Sequence, residues 1–146
     1  MAKALAFGTF DVLHPGHLHY LKTASTYGEL TVIVARDATV LNVKGRPPLK
    51  NEAERLRDLQ AAGYRAVLGS EGDKYAVIAA ERPDAICLGY DQTAFTEGLE
   101  AACRAIGLRA RIVRIPAFHP ERYKSSLLNR YAHADRNDQS GKGERA

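Results

Sequence analysis

The chain is expected to fold as an α/β protein on an open parallel sheet of five strands, with helices on both faces. Two observations carry this expectation. Short apolar runs alternate with stretches of helical periodicity from residue 4 to about residue 131. Glycine and proline fall at the joints: Gly8 closes the first apolar run, Pro15 opens the first helical stretch, and Gly63 and Gly107 close two others. The length, 146 residues, suits one domain able to bury a core.

The elements follow in order. Ala4 to Phe7 is the first strand, and a helix begins near Pro15 with Leu18, Leu21 and Ala24 facing inward. Thr31 to Ala35 is the second strand. Arg36 to Lys50, with Gly45, Pro47 and Pro48, reads as an irregular loop. The next helix starts at Asn51, where Glu54 three residues on makes a variant capping box, and it buries Leu56 and Leu59. Ala66 to Gly69 is the third strand, Tyr75 to Ala80 a short helix, and Asp84 to Leu88 the fourth strand. A helix from about Ala94 to Ile106 precedes the last strand, Arg111 to Ile115, and Lys124 to about Tyr131 reads as a final helix. Residues 1–133 form the expected domain. Residues 134–146 are polar, without apolar periodicity, and are expected to be a disordered tail. Together these elements make a Rossmann-like arrangement.

Composition narrows the function. Hydrophobic residues are 45% and charged residues 26%, ordinary for a globular chain. No apolar run nears the roughly 20 residues that cross a bilayer, and the apolar start is too brief for a signal peptide, so a cytoplasmic protein is expected. The net charge is +4, and the tail's three basic and three acidic groups cancel, which leaves the surplus on residues 1–133. No Lys/Arg run interleaves with aromatics, so the charge suits nucleotide phosphates rather than nucleic acid. Cys87 and Cys103 lie in apolar patterns with no second ligand at metal spacing and are expected to be free core thiols.

The chemistry concentrates in Gly8-Thr9-Phe10-Asp11-Val12-Leu13-His14-Pro15-Gly16-His17, where the first strand gives way to the first helix. Ligands of open α/β sheets bind at the carboxyl ends of strands, and a helix N-terminus attracts phosphate. Two imidazoles three residues apart add donors, and Gly16 between them allows close backbone approach. A bare pair of histidines at this spacing also fits a metal site or two surface side chains. The longer run at a strand-to-helix junction is more specific.

That run resembles the signature of the cytidylyltransferase-like nucleotidyltransferases, with His14-Pro15-Gly16-His17 as their His-x-Gly-His motif after Gly8-Thr9-Phe10-Asp11. Lys124-Ser125-Ser126-Leu127-Leu128-Asn129-Arg130 is similar to their late Ser-Ser-Thr-x-x-Arg element, with Leu127 in place of the threonine. The resemblance spans residues 3–131 and implies in-line attack by an acceptor phosphate on the α-phosphorus of a nucleoside triphosphate. It implies His14, His17 and Lys44 as catalytic residues. It implies Gly8, Thr9, Phe10, His14, His17, Asp91, Ser125, Ser126 and Arg130 as nucleotide contacts. Asp11, Arg36, Lys44, Arg46 and Tyr90 are the acceptor contacts it suggests, although Asp11 is equally suited to ordering its own loop. Magnesium (Mg2+) is expected to arrive with the triphosphate, without a set of protein ligands.

Leu88-Gly89-Tyr90-Asp91-Gln92 narrows the substrates, because the cytidylyltransferases carry a Gly-Asp-Asp-Trp-like stretch here and this chain has no tryptophan. With Arg36-Asp37, Lys44-Gly45-Arg46 and Tyr123-Lys124-Ser125-Ser126, the stretch is similar to archaeal-type FAD synthases, which implies ATP and FMN as substrates. By the same analogy a homodimer is expected. Tyr90 or Phe95 could stack on a flat ring, but both types are more often core residues. The alternatives are a CTP-dependent enzyme for glycerol 3-phosphate or a similar alcohol phosphate, and a non-catalytic nucleotide-binding module.

Overall fold

The computed structural model describes residues 2–70, 75–89, 92 and 98–116. Outside these lie Tyr90, Asp91, Phe95, the expected helix start at Ala94, the segment holding Ser125, Ser126 and Arg130, and the 134–146 tail. Among the described residues, no helix is long and apolar enough to cross a membrane.

The strands are β1 (Lys3–Gly8), β2 (Glu29–Val34), β3 (Arg65–Leu68), β4 (Ala85–Leu88) and β5 (Arg111–Arg114). All pairings are parallel and the sheet order is β3-β2-β1-β4-β5. The chain builds outward from β1 to β3, then crosses to lay β4 on the other side of β1. Strand order therefore reverses between β1 and β4, and this is where an open sheet offers a crevice at its carboxyl edge.

Parallel strands need crossovers, and the helices α1 (Pro15–Ala24), α2 (Asp37–Lys44), α3 (Glu52–Ala61), α4 (Ala76–Glu81) and α5 (Leu99–Ala105) lie within them. Two apolar clusters show helices on both faces. Ala6, Val32, Val34 and Cys87 pack with Leu21 and Ala24 of α1 and Leu59 of α3. Leu5, Phe7, Ile33, Ile86 and Leu88 pack with Ile78 of α4 and with Leu99 and Cys103 of α5. The alternation along β1 (Leu5 and Phe7 one way, Ala6 the other) follows the two-residue period of a strand. Burying each large apolar side chain contributes about 1.5–3 kcal/mol.

The α3 cap is as expected: Asn51 Oδ1 accepts the Glu54 N–H at 2.9 Å, and Glu54 Oε1 accepts the Asn51 N–H at 2.9 Å. Leu56 is half-buried against the core and Leu59 is fully buried.

Two expectations are corrected. Leu18 does not face inward: it is 38% exposed, because the inward stripe of α1 runs through His17, Tyr20, Leu21 and Ala24, about a third of a turn away. Arg36 to Lys50 is not all loop, since Asp37–Lys44 is helical. Asp37 in the first turn and Gly45 in the left-handed conformation (φ 78°) just past the end bound this helix. It buries Val40 alone, and Leu41 and Val43 are exposed, so no inward stripe marks it in the sequence.

Candidate active site

The motif turn joins β1 to α1 at the carboxyl edge. Gly8 ends the strand, and Phe10 takes φ 55°, a left-handed value that costs a residue with a side chain. Its ring is 2% exposed and lies over Gly8, where a Cβ would come within 2.7 Å of the ring carbons. Glycine is therefore required at position 8 for Phe10 to pack there.

Beyond the turn, His14 caps α1. Its Nδ1 accepts the Gly16 N–H at 3.1 Å, which leaves the proton of a neutral imidazole on Nε2. Burial first, and neighbouring His17 second, lower the His14 pKa to about 3. The two rings stack with centroids 3.8 Å apart and 22° between planes. Phe10 meets His17 edge-on at 5.3 Å and lies nearly parallel to Tyr20 at 6.3 Å. The Gly16 N–H, one of the groups a bound phosphate could have used, is thus taken by His14.

Two side chains bridge the ends of β1 and β4. Beyond Ala6 and Cys87, the last paired residues of β1 and β4, the Tyr20 hydroxyl donates to the Cys87 carbonyl at 2.8 Å and accepts the Phe7 N–H at 3.2 Å. The Gln92 amide donates to the Phe7 carbonyl at 2.9 Å and accepts the Gly89 N–H at 2.7 Å. Arg114 donates to the carbonyls of Gly89 and Gln92, at 2.8 and 2.6 Å. Neither Tyr20 nor Arg114 stood out in the sequence, although Tyr20 lies one turn beyond His17 on the inward stripe.

The other expected residues divide. Gly8, Thr9, Phe10, Asp11, His14 and His17 meet in the motif turn. Asp11 accepts the N–H groups of Leu49 and Lys50, each at 2.8 Å, and so ties down the segment that follows α2. Arg36 donates to the Gly69 carbonyl at 2.8 Å and lies 3.5 Å from the Glu52 carboxylate. Lys44 is the exposed last residue of α2, not part of a loop, and Arg46 is exposed just beyond it. Among the described residues, no group of three or more His, Cys, Asp or Glu could hold a metal ion.

A parallel sheet whose order reverses beside a stacked imidazole pair at a helix start is a phosphate-transfer architecture, and the comparisons agree on its class. The cytidylyltransferase-like family model matches residues 5–130, and the chain belongs to that family. Within it, the chain is similar to FAD synthases. It is 48% identical to the FAD synthase of Methanosarcina barkeri over 80% of this chain and 84% of that protein. It is also 48% identical to that of Methanothrix thermoacetophila over 82% and 85%. The crystal structure of a Thermoplasma volcanium protein described as a lipopolysaccharide core biosynthesis protein superposes with a TM-score of 0.75 at 40% identity, covering 81% of this chain and 98% of that one.

Proposed function

We propose that this protein is an FMN adenylyltransferase, joining ATP and FMN to give FAD and pyrophosphate. A phosphate oxygen of FMN attacks the α-phosphorus of ATP in line. The bond from the α-phosphorus to the bridging oxygen breaks, and pyrophosphate leaves with the electron pair. The observation that carries the reading is the His14–His17 stack at the N-terminus of α1, beside the reversal in strand order. The similarity to FAD synthases supports the choice of nucleotide and acceptor.

In this reading, His14 and His17 donate to the triphosphate and stabilise the charge that builds on its oxygens. Thr9 and the adjacent backbone help hold it. Lys44, at the end of α2, serves the α-phosphate or the acceptor phosphate, and Arg46, just beyond it, serves the acceptor. Ser125, Ser126 and Arg130 hold the β- and γ-phosphates, and Tyr90 and Asp91 meet the acceptor and the nucleotide. Magnesium enters as part of the ATP complex. Asp11 and Asp37, the described carboxylates nearest the turn, are engaged with backbone N–H groups and with Arg55, so the ion would rely chiefly on phosphate and water oxygens and would offset the triphosphate's charge.

The protein is further proposed to act on small molecules in the cytoplasm, with residues 1–133 as the working unit. A homodimer is also proposed. The exposed Leu41, Val43 and Leu49, at 50, 56 and 72%, support a partner surface, which light scattering would test.

Pyrophosphate release with ATP or CTP, each paired with FMN, glycerol 3-phosphate or ethanolamine phosphate, tests the function. Release and FAD formation with ATP plus FMN alone is the expected result. Release with CTP alone would overturn the substrate assignment and leave the phosphate site standing. Nucleotide binding without turnover across the panel would make the protein a binding module.

A further inference from the structure

Arg55 is 0% exposed in a helix whose other fully buried residue is the apolar Leu59. Its guanidinium makes three directed contacts. Nε donates to the Lys50 carbonyl at 2.9 Å, one terminal nitrogen donates to the Thr9 carbonyl at 2.8 Å, and the other pairs with the Asp37 carboxylate at 2.7 Å. Two of these arms join α3 to the residue before its cap and to the start of α2, which any packing role would require. The third crosses 46 positions of sequence to the peptide immediately before Phe10.

That peptide belongs to the strained part of the site. Phe10 holds a left-handed backbone and a buried ring whose neighbour is the imidazole of His17, at 5.3 Å. A left-handed non-glycine residue persists only where its surroundings over-determine it. The Thr9 carbonyl is pinned on one side by Arg55, and on the other Asp11 is pinned by Leu49 and Lys50. Burying a guanidinium carries a desolvation cost that its pair with Asp37, whose side chain is 41% exposed, offsets only in part, so stability alone does not account for a guanidinium here. Its rigid fork instead fixes the direction of a carbonyl.

We propose that Arg55 is a positioning residue for the transfer reaction. It holds the Thr9–Phe10 peptide, and through the Phe10 ring it sets the place of His17. The proposal rests on the adenylyltransferase reading for the reaction that His17 serves.

The test is a double-mutant cycle on purified full-length protein, following FAD formation from ATP and FMN. Arg55→Met and Arg55→Lys are made alone and with His17→Asn, and thermal stability is measured beside kcat and each KM. Arg55→Met is expected to lower kcat about 10- to 100-fold, the effect of a misplaced catalytic group, with KM for ATP changed by no more than about threefold. In the His17→Asn background the same substitution should change kcat by no more than about twofold, because residues acting through one another are not additive. Arg55→Lys, which keeps the charge and loses the fork, should fall between wild type and Arg55→Met, and it carries the cycle if Arg55→Met does not fold. Ile78→Ala, in the opposite core cluster, supplies a destabilised control expected to keep kcat.

Unchanged kcat in folded Arg55→Met, losses that multiply in the double variant, or an equal loss in Ile78→Ala would overturn the proposal. Failure of the functional reading looks different. Wild type would make no FAD yet release pyrophosphate with another nucleotide and acceptor, and the same cycle on that pair would judge Arg55. Silence of wild type on every pair would remove both.

Discussion

The imidazoles of His14 and His17 lie face to face, 3.8 Å apart, and His14 is kept neutral by burial and by its neighbour. Its pKa falls from 6.5 to about 3 on folding. Between those values the unfolded chain binds the extra proton, so protonation favours unfolding. The His14 contribution to stability is therefore intact above pH 6.5 and is lost as the pH falls below it. The expected slope is at most about 1.4 kcal/mol per pH unit. Urea unfolding between pH 5 and 8 should show it, and His14→Asn, which keeps a good cap, should flatten it. An unchanged slope in that variant would rule out His14 as its source.

His17 stacks on His14 without serving as the cap, so its removal separates chemistry from folding better than that of His14. His17→Ala is expected to lower kcat for FAD formation by about a hundredfold or more, the effect of removing one preorganised donor from a developing oxyanion. Near-normal turnover would remove His17 from the reaction.

Asp11 has a different predicted signature. Its carboxylate gathers two adjacent N–H groups, those of Leu49 and Lys50. Asp11→Ala should therefore act first on the segment after α2, costing about 1–3 kcal/mol for lost hydrogen bonds to a charged group. Hydrogen exchange at Leu49 and Lys50 should accelerate, and the acceptor KM should rise more than that of ATP. Unaltered exchange there would show that the tie is dispensable.

How much of this was legible in the sequence depended on whether a residue's surroundings are local. The strands and the α3 cap could be read because their signals lie within a few positions of one another. The motif turn could be read because its residues are contiguous. The helix α2 escaped because one buried residue, Val40, makes no periodicity, although Asp37 and Gly45 marked its ends. Arg55 escaped for the opposite reason: its partners at positions 9, 37 and 50 are remote in sequence, so it read as one charge among many. Its place four residues before buried Leu59 was the available clue. Leu18 was misjudged because an aliphatic side chain looks inward until Tyr20 and His17 are known to occupy that face.

The cysteines carry a simpler expectation. Cys87 is 0% exposed with its thiol pushed up to about 11, and Cys103 is 4% exposed and also raised, both chiefly by burial. Reaction needs thiolate and access. Iodoacetamide at pH 8 should leave the native protein unmodified and active, with both sites alkylated after unfolding in urea. Rapid labelling of native protein, read by mass spectrometry, would contradict their burial.

Gly8 makes the most stringent test of how the turn is built. A methyl group there would sit 2.7 Å from the Phe10 ring, and that ring cannot retreat freely because it is buried and lies against His17 and Tyr20. Either the strand end or the ring must move, and overpacking of this kind costs about 1–3 kcal/mol. Because the ring is the edge on which His17 rests, displacement should lower kcat together with stability. Gly8→Ala paired with Phe10→Leu separates the two effects. The smaller side chain removes the clash, so the double variant should recover stability relative to Gly8→Ala without recovering kcat, since the aromatic edge against His17 is gone. Full recovery of both would mean that the ring matters only as filler, and that His17 is held by other contacts.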